Sequence, residues 1–174
     1  MIKETTGVNT PIIEDILAPL AERPQWVNWR LEPRDDKPTK VPYTPGTNRR
    51  ASSTDLMTWG TLSEALLAYA AGEPPYDGIG FVFCSADPFV GIDLDDCRNP
   101  ETGEIAEWAE KIISRVQEGY IEISPSGTGV HIIVEGSVRD GGRSRRKVRV
   151  DGEVVGEIEM YARERFFTIT GEVL

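Results

Sequence analysis

The chain has 174 residues, enough for one domain with a real core, and 19 Lys and Arg against 29 Asp and Glu leave a formal charge of −10. No run approaches the length of a membrane span and the first residues lack the basic-then-apolar pattern of a secretory signal, so the cytoplasm is the expected location. Two cysteines without CxxC spacing, Cys84 and Cys97, argue against a zinc ribbon or a disulfide framework; a single histidine, His131, excludes multi-histidine metal sites and leaves oxygen ligands and hard cations such as Mg²⁺ or Mn²⁺.

In chain order, Thr10-Pro11 starts a helix whose stripe is Ile13, Ile16, Leu17 and Leu20, with Pro19 disturbing its last turn. WVNWRL, from Trp26 to Leu31, reads as a strand, PRDDKPTK as a polar loop, and Val41 to Pro45 as a short extended piece before the turn-rich GTNRRASSTD. Thr61 and Glu64 form a capping box for a helix that ends near Gly72, with Leu62, Ala65, Leu66 and Tyr69 as its apolar stripe. GIGFVFC and FVGIDLDDC are two apolar strands separated by the turn Ser85 to Pro88, which predicts an antiparallel hairpin. Ile105, Trp108, Ala109, Ile112, Ile113 and Val116 mark the clearest helix, with Gly119 in the place of a C-terminal cap. Strands follow at Tyr120 to Ser124 and in VHIIVEG. Beyond the basic stretch, Asp151-Gly152 signals a hairpin turn, with strands at Glu153 to Tyr161 and Arg165 to Thr170. Helices separated by strand pairs predict an α+β domain with mixed or antiparallel sheets.

Within FVGIDLDDC, alternation places Val90, Ile92 and Leu94 on one face and Asp93 and Asp95 on the other, with backbones about 6 to 7 Å apart. Like charges beside a core are costly, so the pair is either the solvated face of an edge strand or a site for a divalent cation. In SPSGTGVH, Ser126, Gly127, Thr128 and Gly129 make a loop whose backbone N–H groups can turn toward an anion; His131 follows, facing away from Val130, Ile132 and Val134. Glu157 and Glu159 share a strand face, and Arg165 opens the next strand. RDGGRSRRKVR, residues 139 to 149, carries six basic residues and one acid, either a solvated hairpin tip or an arm for phosphates. Arg143, Arg145, Arg146 and Lys147 lie in it. Carboxylates holding paired divalent ions beside a histidine and an arginine suit phosphoryl transfer.

WVNWR, KVPYTP, RRASSTDLMTW, YDGIGFVF, VGIDLDDC, EISPSGTGVHIIV and EIEMYARERFFTITG form an ordered series that resembles the archaeo-eukaryotic primase superfamily, specifically the primase-polymerase domains of phages, plasmids and other mobile elements. The resemblance implies one catalytic domain over 1–174. It would have an N-terminal αβ module (about 1–75) and a module like an RNA-recognition fold (about 76–174), with the active cleft between them. It places the family's acidic pair on Asp93 and Asp95 and its small-x-His motif on Gly129, Val130 and His131, with glycine where many relatives have serine. The third acid falls on Glu159, with Glu157 as its rival; Ala162 stands where members often carry an aspartate. Arg165, and also Lys40 and Arg50, fall where relatives contact the nucleotide.

The implied activity is template-dependent nucleotidyl transfer with release of pyrophosphate, using two Mg²⁺ or Mn²⁺ ions held by Asp93, Asp95 and Glu159. DNA template and primer and nucleoside triphosphates are the implied partners, with no membrane and a monomeric isolated domain. Such domains often precede a helicase, so the chain ending at Leu174 reads as a piece of a longer protein or a minimal stand-alone form. Two other readings are a non-catalytic replication-initiation module that binds DNA and a two-metal nuclease.

Overall fold

The computed structural model describes residues 18–34 and 37–174, so the helix expected from Thr10 lies outside the described residues except for the turn Ala18–Ala21. Among the described residues nine strands make two sheets: β1 (Trp26–Arg34), β2 (Lys37–Tyr43), β3 (Gly78–Phe83) and β9 (Arg165–Ile169) form the first, in the order β2-β1-β3-β9. The second has the order β5-β6-β4-β8-β7, from β4 (Phe89–Asp95), β5 (Tyr120–Ile123), β6 (Val130–Glu135), β7 (Arg143–Val150) and β8 (Glu153–Tyr161). Every ladder between these strands is antiparallel, so the architecture is α+β without the parallel component of a mixed sheet.

Several expectations are corrected. PRDDKPTK is not a loop: β1 runs through Pro33, β2 begins at Lys37, and Pro33 and Pro38 sit opposite each other. Proline is tolerated there because β2 is an edge strand and β3 pairs only the first part of β1, leaving few ladder bonds to lose. β3 and β4 do not form a hairpin but belong to different sheets. The link between them is pinned by Asp87, which accepts from the backbone N–H groups of Cys84 and Phe89 and from the Gln25 amide. The helix over Glu107–Ile113 stops well before Gly119. A Cβ on that glycine would lie 2.7 Å from Val134 Cγ1, so close packing, not a helix cap, requires it. The first sheet also takes β3 and β9 from beyond residue 75.

Period-two alternation gives the second sheet two buried faces. On one, Leu94, Val130 and Ile132 pack with Ala109 and Trp108 of the helix Glu107–Ile113. On the other, Phe89, Tyr120, Ile133 and Tyr161 meet Phe81, Phe83 and Phe167 of the first sheet. Phe83 and Phe167 pack edge to face at 5.1 Å, directly over Gly91, where a Cβ would stand 2.6 Å from the Phe83 ring. Sheet thus packs on sheet, the helix Glu107–Ile113 covers the far face of the second sheet, and Leu62 and Ala65 of the helix Leu62–Ala71 join the core of the first. Along β4 the face toward the first sheet changes from Phe89 and Gly91 to Asp93 and Asp95, and the aromatic core gives way to a cleft.

Candidate active site

Register assembles the site. Glu122 on β5 pairs with His131 on β6, His131 with Asp93 on β4, Asp93 with Glu159 on β8, and Glu159 with Arg145 on β7. Cross-strand partners share a face, so one row of side chains crosses all five strands with an acid or base at each step. Two residues further along β4, Asp95 stands opposite Glu157, which itself faces Lys147.

Asp93, Asp95 and Glu159 each offer a carboxylate oxygen, and these atoms lie within 4.8 Å of one another. Burial, opposed in part by His131 and reinforced by Glu159, raises the Asp93 carboxyl above its ordinary range. Asp95 is pushed up to about 6, by burial first and then by the charges of Asp93 and Glu159. Asp93 Oδ1 is buried with no hydrogen-bond partner. Three converging carboxylate oxygens with no nitrogen or sulfur donor among them, two of them on aspartates whose carboxyls are raised, fit a hard divalent cation.

The two rival acids have different surroundings. Glu157 is held by Arg145 through two parallel hydrogen bonds, Nε to Oε1 at 2.8 Å and Nη2 to Oε2 at 2.6 Å, and this pairing lowers its carboxyl. Glu159 is 7% exposed, accepts from the Tyr161 hydroxyl at 2.5 Å, and keeps Oε1 2.9 Å from Arg145 Nε. It is Glu159 that joins the aspartates.

Beside the acids lies a cleft of about 340 Å³, lined by Lys40 and its neighbours in β2, by Asp93 and His131, and by Arg165 through Thr168 in β9. Lys40 Nζ lies 5.9 Å from the Trp29 ring, and desolvation lowers its pKa against the pull of Asp93 and Asp95. His131 is 5% exposed and stacks on Phe167 at 4.8 Å. Arg165 lies over the Tyr161 ring at 4.9 Å.

Other sequence candidates lie elsewhere. Arg50 is paired with Glu32, on a carboxylate shared with the Tyr43 hydroxyl, and does not line the cleft. The 124–129 loop is also absent from the lining, and its N–H groups turn inward: Gly127 donates to the Ser124 carbonyl and Thr128 to Ser126 Oγ. Ser126 and Thr128 hydrogen bond to each other at 2.9 Å, and the Thr128 carbonyl accepts from Cys97 and Arg98. A Cβ on Gly129 would lie 2.7 Å from the Leu94 carbonyl oxygen. The loop thus buttresses the end of β4, and its Gly127 and Thr128 N–H groups are not free for an anion.

The basic stretch is a helical turn, Arg139–Gly142, followed by the edge strand β7. Arg143, Arg145 and Lys147 share the face of the acids, and Arg146 points to the other. Three site residues went unpredicted: Glu122, Tyr161 and Thr168. For Glu122 the signal was present, a lone acid alternating inside the apolar strand YIEI.

No family model matches the chain. Over 157 residues it is 41% identical to a protein named DNA Primase-polymerase from Nitratiruptor phage NrS-1, a match that covers 88% of this chain. The chain is similar to part of a phage primase-polymerase. It spans about a fifth of that relative's length, 20%. The likeness to phage primase-polymerases carried by the ordered motifs is the one this match displays.

Proposed function

We propose that the chain is the catalytic domain of a DNA primase-polymerase, adding nucleotides opposite a template and releasing pyrophosphate. The carrying observation is the convergence of Asp93, Asp95 and Glu159 within 4.8 Å beside a cleft lined by Lys40, His131 and Arg165. The three acids would hold two Mg²⁺ or Mn²⁺ ions. Bound ions of this kind lower the pKa of an attacking hydroxyl and neutralise the leaving pyrophosphate. Lys40, His131 and Arg165 bind and orient the triphosphate, with its α-phosphorus toward the acids. Arg143 and Lys147, on the acid face of β7, meet phosphates of template or primer; Arg146 is available from the opposite face.

The fold reading follows the same line. With the edge strand β7 set aside, β4, β5, β6 and β8 follow one another along the chain and lie side by side in the order β5-β6-β4-β8, with a helix joining β4 to β5. That split βαβ pattern supports an RNA-recognition-like module within an archaeo-eukaryotic primase fold, with its strands from β4 onward, set against a first sheet that joins β1 and β2 to β3 and β9. A helicase, fused or associated, is the partner this reading calls for.

Primed and unprimed templates with labelled ribo- or deoxynucleotides and Mg²⁺ or Mn²⁺ test the proposal. Metal-dependent strand growth is expected. Replacing Asp93 and Asp95 with alanine abolishes it in a folded protein, and full activity in that double variant refutes the site. Glu159→Gln loses on the order of 100-fold and Glu157→Gln about tenfold or less, since only the former takes a negative charge from the converging set.

A further inference from the structure

Glu122 lies behind the cleft rather than in it, and its side chain is 0% exposed. Its Oε2 accepts from the Tyr120 hydroxyl at 2.6 Å and from the backbone N–H groups of Thr170 and Gly171 at 2.8 and 3.0 Å, with the Thr170 hydroxyl 2.9 Å away. Its Oε1 is left facing His131 Nδ1 at 3.2 Å. A second acceptor, the Thr168 carbonyl oxygen, stands 3.1 Å from the same nitrogen. A ring nitrogen between a carboxylate and a carbonyl must carry a proton, because a lone pair there would meet only lone pairs. Stacking on Phe167 fixes the plane of the ring, and Nε2 emerges toward the cleft 3.7 Å from Asp93 Oδ1.

We propose that Glu122 is a positioning residue that keeps a proton on His131 Nδ1 and so leaves Nε2 as the ring atom that faces the cleft. Only an acceptor at both ends satisfies this pocket. A glutamine that kept its oxygen toward Thr170 and Gly171 would turn its NH₂ on Nδ1 and demand a lone pair there, driving the proton to Nε2.

His131 is the sole histidine of the chain, so its imidazole ¹⁵N signals need no assignment. Long-range ¹H–¹⁵N spectra of the 174-residue chain at about pH 8, above the ordinary histidine range, should show the Nδ1–H pattern. Glu122→Gln should switch it to Nε2–H. Tyr120→Phe keeps the carboxylate and should keep the Nδ1–H form. A folded Glu122→Gln protein that retains Nδ1–H overturns the proposal. Should that variant not fold, the wild-type spectrum decides, since an Nε2–H wild type is equally fatal.

Discussion

Asp95 shows what the acid site costs when no cation is present. Its carboxyl, raised from 3.8 to about 6, binds a proton more tightly in the folded than in the unfolded chain. The metal-free domain should therefore lose stability as pH rises through that window, and keep the loss above it. Asp95→Asn removes the penalty. Near neutral pH the metal-free variant should be more stable by on the order of 1 kcal/mol, after discounting for the partial exposure of the group, and inactive. Thermal melts at acid and neutral pH check this, and a wild type whose advantage over the variant grows with pH contradicts it. The acid pair and His131 were legible because charge breaks the apolar alternation of their strands. The difference between Glu157 and Glu159 was not, because Arg145 reaches them only through cross-strand register.

Local chemistry and long-range packing part company at the level of single elements. The helix Leu62–Ala71 is written in its own residues: Thr61 and Glu64 close the capping box in both directions, and Gly72 ends the helix with φ +70°. Hydrogen bonds from the Thr61 N–H and hydroxyl hold the Glu64 carboxyl below its ordinary value. The stabilisation is thus complete above the usual glutamate range and is lost as pH falls below it. Thr61→Ala should cost about 1 kcal/mol at neutral pH and less in acid, measured by denaturant melts. The Asp151-Gly152 turn was equally local, with φ of +50° and +87°. The link from β3 to β4 misled for the opposite reason. Ser85 to Pro88 has the composition of a hairpin turn, but the partners of β3 are β1 and β9, chosen by aromatic packing from far along the chain. PRDDKPTK misled because its prolines are harmful only where a strand is paired on both sides.

Taken whole, the molecule is acidic, yet it presents Arg143 and Lys147 on the face that carries its carboxylates. If that face tracks DNA, reversing both charges should weaken binding similarly for all sequences and reduce the log–log salt slope by about 2. Titrations of fluorescent DNA at several salt concentrations read this directly, and an unchanged slope removes β7 from the interface. The crossing from β8 to β9 sets a mechanical limit. Glu159 belongs to one sheet and Arg165 to the other, yet between Tyr161 and Arg165 the chain has only Ala162, Arg163 and Glu164. Both ends of that link are tied down, Ala162 N–H to the Gly142 carbonyl and Glu164 N–H to that of Phe83. A jaw tethered so short on one side cannot gape there. Any widening to admit a substrate must come from the opposite rim, where the β1-β2 ribbon carries Lys40 like a swinging gatepost.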